Sequence, residues 1–248
     1  GGKPVASTGV WVNDIVIGDV TLRVGGINCV GTLPDYRRHG LGAQVMAAAH
    51  ATMRAHGCHV GLLSTGIYNW YRRMGWEEAG SVRTYRLNRG NIALLPALPA
   101  GVISHTFDLS SDGEIAGIEL AATLVDLHQR ARLGGTRTVA SFGQLVAARQ
   151  LTHGLLATQG STPVAYLLFH EHTIAEWAGD AHIVAGLVRL CFEAQDDRTI
   201  STSSRGDDGS PVALRAMTVR TPGRTSSWQH PLVALLDAAR FPYQIDDI

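Results

Sequence analysis

The chain has 248 residues, of which 45% are hydrophobic and 17% charged, enough apolar material for one large globular domain or two ordinary ones with sizeable cores. Its 21 Lys and Arg balance 21 Asp and Glu, so no general field draws it to nucleic acid or an anionic membrane, and the pairs Arg37-Arg38 and Arg72-Arg73 act locally. No apolar run approaches the roughly 18–20 residues of a membrane span, and no secretory signal opens the chain.

Three widely spaced cysteines (Cys29, Cys58, Cys191) suit a reduced, cytoplasmic protein, and without CxxC or HExxH no metal is expected. The chain starts Gly1-Gly2-Lys3, with no methionine, as a trimmed fragment would. Residues 4–17 read as a strand, Gly18-Asp19 as a hairpin turn, and the alternating Val20, Leu22 and Val24 as a second, half-buried strand. Gly25-Gly26 predicts another turn before a third strand, Ile27 to Leu33. A helix from about Leu41 to His56 follows, with Leu41, Val45, Ala48, Ala49 and Thr52 as its buried stripe and Gly57 as its stop. Cys58 to Leu63 predicts a short strand, Tyr68 to Met74 a short helix, and Ser81 to Leu87 a strand. Pro96 and Pro99 among small apolar residues mark 91–101 as a linker, which divides the chain into domains 1–95 and 96–248.

The second half opens with a strand (Val102 to Asp108) and a helix preceded by Ser111-Asp112-Gly113-Glu114, near a capping box, with Ile115, Ile118, Ala122 and Val125 on its apolar face. A helix (Ser141 to Gln150) and three strands (Leu155 to Thr158, Val164 to His170, Thr173 to Ala178) come next. Then follow a helix burying Ile183, Leu187, Leu190 and Cys191, a strand (Thr199 to Ser203), a surface loop (204–210), a helix (Pro231 to Ala239) and a strand (Phe241 to Ile245). The order predicts an α/β fold with mixed sheets.

One stretch carries recognisable chemistry. Arg37-x-x-Gly40-x-Gly42 falls between a strand and a helix, where glycines admit positive φ and successive N–H groups converge on an anion. A nucleoside triphosphatase loop is ruled out, since no Lys-Ser/Thr follows the glycines. G-x-G-x-x-G fails because Val45 stands at the last glycine's place. The plainer alternative is a strand-to-helix turn whose glycines only permit tight packing. A second stretch, Asn69-Trp70-Tyr71-Arg72-Arg73-Met74-Gly75-Trp76, places aromatic residues on the next short helix, where Trp70 and Trp76 are expected in the core.

Together these stretches resemble the GCN5-related N-acetyltransferase (GNAT) superfamily, over Ile27 to Trp76. The resemblance implies a strand at Val30, Gly31 and Thr32 that pairs with the pantetheine arm of acetyl-CoA. It implies a pyrophosphate held by the loop of Arg37, Arg38, His39, Gly40, Leu41, Gly42 and Ala43, with Ser64 and Thr65 as further contacts. A backbone N–H near Val30 would serve the oxyanion. Tyr71 would be the general acid, with Tyr68, one turn earlier, as its rival. No base is identified among Glu77, Glu78, Glu171, Glu176 and the histidines.

The second half repeats the order of elements, but its junction, Trp177-Ala178-Gly179-Asp180-Ala181-His182, has neither the arginine nor the paired glycines. Two units in tandem, the first lacking its N-terminal strand and two helices and the second degenerate, are similar to the enhanced intracellular survival acetyltransferases. That resemblance implies acetyl transfer to the primary amine of a small molecule, aminoglycosides among them, and a homo-oligomer. The family's third domain, whose terminal carboxylate is the base, does not lie within the 248 residues. The competing expectation is a non-catalytic coenzyme A-binding or interaction module.

Overall fold

The computed structural model describes residues 2–109, 118–131, 133–201, 217–222 and 230–247. Contacts between Cα atoms divide the chain into two units, one of Gly1–Ala79 with Arg132–Thr136 and Asp247–Ile248, the other of Gly80–Ala131 with Arg137–Asp246. The break at 79/80 precedes the expected linker.

In the first unit β1 (Ala6–Ile17) and β2 (Val20–Thr32) form a long antiparallel hairpin about Gly18. β2 runs unbroken through Gly25-Gly26, where a turn is expected from the sequence. These glycines mark close approach instead: a Cβ on Gly25 would lie 2.3 Å from Met53 Sδ, and one on Gly26 would lie 1.9 Å from the Trp11 indole. α1 (Leu41–Ala55) crosses over to β3 (Val60–Leu62), which pairs parallel to β2. α1 buries Met46, Ala49 and Met53, while Ala48 and Thr52, expected inside, are exposed. Met53 fills the space over Gly25, which draws that side of the helix inward. α2 (Tyr68–Arg72) closes a cluster of Ile27, Met46, Ala49, Met53 and Tyr71.

In the second unit β4 (Ser81–Arg86) joins a sheet in which it lies between later strands. The expected linker is packed structure, with Ile92 and Leu95 buried in the core beside Leu187 and Val188. β5 (Val102–Asp108) is followed by α3 (Ile118–Arg130), which buries Ala121, Leu124, Val125 and Leu127 and leaves Ala122 exposed. The proposed capping box at 111–114, Ile115, residues 202–203 and the loop at 204–210 lie outside the described residues. β6 (Leu133–Gly135), unforeseen in the sequence, pairs with β1 and extends the first unit's sheet to the order β3-β2-β1-β6. α4 (Val139–Ala148) starts at a Thr138/Ser141 capping box.

β7 (His153–Gln159), β8 (Thr162–His170) and β9 (Thr173–Gly179) form an antiparallel meander. α5 (Ala181–Ser201) runs through the expected strand at 199–201, because lengthening a helix costs less than starting a new element. β10 (Thr218–Pro222), unforeseen, pairs parallel to β9 and antiparallel to β4. α6 (Pro231–Ala238) and β11 (Tyr243–Asp247) complete a sheet in the order β11-β4-β10-β9-β8-β7-β5. Leu187 and Val188 of α5 and Leu232 and Leu236 of α6 cluster with Leu167 and Val219 of the sheet. Leu124 of α3 and Phe142 and Val146 of α4 cluster with Tyr166 and Leu168, giving three layers.

Candidate active site

The site begins where β2 loses its neighbour. Pairing with β3 ends at Gly26↔Leu62, yet β2 continues to Thr32, held from there, among the described residues, by β1 alone. Three residues further along, Thr8 of β1 stands alone against both Cys29 and Val30, because the register shifts between Ser7↔Gly31 and Gly9↔Asn28. Cys29 takes φ +50° there, the left-handed geometry of a β-bulge, and the Thr8 hydroxyl donates to the Asn28 carbonyl at 3.1 Å. A bulge leaves a peptide group outside the ladder and re-aims it. Val30, Gly31 and Thr32 thus lie on a strand end that is open on one edge and kinked by a bulge.

Past Thr32 the chain makes a single 3-10 turn (Pro34–Tyr36), and Arg37 Nε returns to the Thr32 carbonyl at 3.2 Å. That bond ties the guanidinium stem to the strand, and among the described residues no carboxylate pairs with its terminal nitrogens. Arg38 follows at φ +65° and Gly40 at φ +76°. Gly40 is the N-cap of α1 and has no side-chain cap; the first helical bond runs from Gln44 N–H to its carbonyl at 3.1 Å. The N–H groups of Leu41, Gly42 and Ala43 therefore have no intrahelical acceptor and meet the positive end of the helix dipole.

The two glycines do different work. A Cβ on Gly40 would meet nothing within 4 Å, so that residue is there for its φ and leaves open space above the helix end. A Cβ on Gly42 would stand 3.1 Å from Trp70 Cζ2, so the second glycine admits the indole. Trp70 is therefore a wall of the cradle as well as a core residue. Its neighbour Tyr71 is 8% exposed, packs edge-on to Trp70 at 4.7 Å, and shares a cluster with Val30. Burial raises the phenol above its ordinary 10.0, so the hydroxyl keeps its proton at neutral pH.

The structure thus gathers Val30, Thr32, Arg37, Gly42, Trp70 and Tyr71 around one strand end and one helix start. Among the described residues no hydrogen bond joins His39, Ser64 or Thr65 to this group; Thr65 Oγ1 instead accepts from Ile67 N–H at 3.1 Å. The bulge at Cys29 and the approach of Trp70 to Gly42 were not foreseen in the sequence. The only hints were an odd alternation near Gly31 and a tryptophan next to the tyrosine. Of the candidate bases, Glu77 and Glu78 are held by Arg72 at 3.0 and 3.3 Å. Glu176, 6% exposed, is held by Arg137 at 2.6 Å, Arg149 at 3.0 Å and the Tyr166 hydroxyl at 3.3 Å.

The second unit repeats the strand-helix-strand crossover with its anion site filled. Asp180 Oδ1 accepts from the N–H groups of His182 and Ile183 at 2.9 and 3.2 Å, so the start of α5 already holds a carboxylate. Parallel pairing of β9 with β10 stops at Ile174↔Val219, and Trp177 Nε1 reaches across to the Arg220 carbonyl at 3.0 Å. Among the described residues, the first unit alone keeps both the splayed strand and the uncapped helix.

A splayed parallel strand, a bulge and an uncapped glycine helix start lie together in this α/β protein, an arrangement that suits an extended ligand with an anionic end. Residues 1–79 match the family model of the acetyltransferase (GNAT) domain, and the chain has the mixed α/β fold of two such units in tandem. Solved structures agree across nearly the whole chain. A GCN5-related N-acetyltransferase from Kribbella flavida superposes with TM-score 0.66 at 16% identity, covering 100% of this chain and 56% of that one. Eis1 from Mycobacterium abscessus gives 0.61 at 17% identity, covering 99% and 60%. A tandem GNAT protein from the clavulanic acid biosynthesis pathway gives 0.53 at 16% identity, covering 99% and 84%. The chain spans little more than half of the Kribbella protein. No curated protein matches it. Among the described residues no helix is long and apolar enough to cross a membrane.

Proposed function

We propose that this chain is the coenzyme-binding part of an acetyl-CoA-dependent N-acetyltransferase acting on the primary amine of a small molecule, aminoglycoside-like amines included. The observation that carries the reading is the free edge of β2 after Gly26, running through the Cys29 bulge straight into the uncapped start of α1. The residues fit the coenzyme. The helix start offers outward N–H groups, Arg37 and Arg38 add charge, and the space over Gly40 is open.

Val30, Gly31 and Thr32 would present backbone groups to the pantetheine arm as a neighbouring strand does. Arg37, Arg38 and the N–H groups up to Ala43 would hold the pyrophosphate, with His39 at the rim and Ser64 and Thr65 beside the arm. When bound, acetyl-CoA supplies a thioester whose acetyl carbon the neutral amine attacks, with coenzyme A thiolate leaving. A bulge N–H near Val30 stabilises charge developing on the acetyl oxygen. Tyr71 holds its proton at Oη, ready for the leaving sulfur, because burial disfavours the phenolate. The second unit, its helix start capped by Asp180, would not bind coenzyme and serves as partner surface in a homo-oligomer. Domain limits at 95/96 and a cytoplasmic setting belong to the same proposal.

Coenzyme A release against a panel of amines tests the reading. Turnover with at least one amine is expected, reduced on the order of 10²–10⁴-fold in Tyr71→Phe. Acetyl-CoA binding without turnover on any amine would favour a binding module instead. Unchanged turnover in Tyr71→Phe would overturn the acid assignment alone.

A further inference from the structure

A pocket of about 150 Å³ lies at the other end of α1 from the cradle, against the start of β3. His50, Arg54, Cys58 and His59 form its polar lining, and Met53 and Val60 its apolar side. Each imidazole is fixed in one neutral tautomer by the bond it accepts. Trp76 Nε1–H donates to His50 Nε2 at 3.0 Å, which leaves the ring proton on Nδ1. The Arg23 N–H donates to His59 Nδ1 at 2.9 Å, which leaves that ring's proton on Nε2. Each ring thus keeps one N–H donor that, among the described residues, has no acceptor. Arg54 is exposed and, among the described residues, pairs with no carboxylate.

Donors without acceptors fix the sign of the ligand. A guanidinium and two imidazole N–H groups line the pocket, and among the described residues no carboxylate does. The C-terminal end of a helix ordinarily repels an anion, but here its last carbonyls are taken. Those of Thr52, Met53 and Arg54 accept from the N–H groups of His56, Cys58 and Gly57, each at 3.0 Å. Arg23 also holds Asp14 at 3.3 Å, which offsets that carboxylate. The volume falls below the roughly 300–1,000 Å³ of sites that enclose whole small molecules, so a single small group fits. Three donor side chains match the three outer oxygens of a phosphate monoester, whereas a carboxylate offers two. We infer that this pocket is an anion site separate from the cradle, holding a phosphoryl group through Arg54, His50 Nδ1 and His59 Nε2. It shares no residue with the cradle and does not depend on the acetyltransferase reading.

The test is a titration of the chain with inorganic phosphate at neutral pH and constant ionic strength, followed by NMR of histidine rings and backbone amides. Phosphate is expected to shift the His50 and His59 ring signals. Arg54→Gln should weaken that binding roughly 10- to 100-fold, as loss of a charge-assisted hydrogen bond does. Because Arg54 is exposed, the variant keeps the fold, which the rest of its spectrum verifies. Amide shifts at Leu41, Gly42 and Ala43 report the cradle in the same spectra and are expected to be alike in both proteins. Silent histidine rings in the wild type, or equal affinity in Arg54→Gln, would overturn the site. Shifts confined to the cradle would do the same and leave the acetyltransferase reading standing. Glycerol 3-phosphate as a second probe separates the sources of the group. Met53 and Val60 favour tighter binding of this ester, while a preference for inorganic phosphate would support the site with free phosphate as its occupant. Acetate binding as tightly as phosphate would overturn the phosphoryl assignment.

Discussion

The glycines of Arg37-x-x-Gly40-x-Gly42 are the sharpest place to test the geometry, because the structure assigns each a different reason for lacking a side chain. At Gly40 the backbone sits at φ +76° and a new Cβ would meet nothing within 4 Å. Gly40→Ala therefore carries only the left-handed penalty, about 1–2 kcal/mol, with no clash to add. Asparagine tolerates that region and also caps helices, so Gly40→Asn should recover most of the loss. Gly42 lies inside the first turn of α1, where alanine gains about 1 kcal/mol of helix propensity over glycine. Against that gain, its Cβ would press Trp70 at 3.1 Å, and overpacking of this kind costs about 1–3 kcal/mol. Gly42→Ala is thus expected near neutral to about 2 kcal/mol destabilising, but with weakened acetyl-CoA binding as the indole gives way. Urea denaturation and calorimetric acetyl-CoA titration on the three variants give the readings. Gly40→Ala as stable as wild type, or Gly40→Asn no better than alanine, would refute the left-handed assignment. Full coenzyme affinity in Gly42→Ala would show that Trp70 is no wall of the cradle.

Glu176→Ala should strand Arg137, whose side chain is only 14% exposed, whereas Arg149 at 44% can turn to water. The loss expected in urea unfolding is about 3 kcal/mol, the low end for a broken buried pair, and a loss below about 1 kcal/mol would contradict the network. Burial lowers His230 from its ordinary 6.5, and its Nδ1 accepts from Leu232 N–H at 3.1 Å. A depressed folded pKa means stability that is present above about 6.5 and lost as pH falls through the folded value. Melting curves between pH 7.5 and 5, each pH a chosen condition on the order of one unit apart, should show this decline in wild type and a shallower one in His230→Asn. Equal slopes would remove His230 as its source.

The sequence by itself determined the parts that depend on near neighbours. Gly18 turns the first hairpin, Gly57 at φ +69° ends α1, and Thr138 with Ser141 starts α4, each through chemistry within a few residues. The cradle from Arg37 to Ala43 was legible for the same reason, since a glycine's φ and a helix start are local properties. The spacing to Gly75 and Trp76 is what favours Tyr71 over Tyr68 as the expected acid.

Only the tertiary structure decided what depends on residues far apart in the chain. Gly25-Gly26 reads as a turn until Met53 and Trp11 are seen to occupy the space of the missing side chains. Residues 91–101 read as a linker until Ile92 and Leu95 are found in the core with α5. β6 and β10 are short and become strands only because β1, β4 and β9 offer them partners. The contrast between the units has the same origin. Gly40 and Asp180 differ in sequence, but the open edge beside Val30 and the edge bridged by Trp177 and Arg220 differ through pairing. Backbone conformation follows the local residue, whereas the free side of a strand is set by what packs against it.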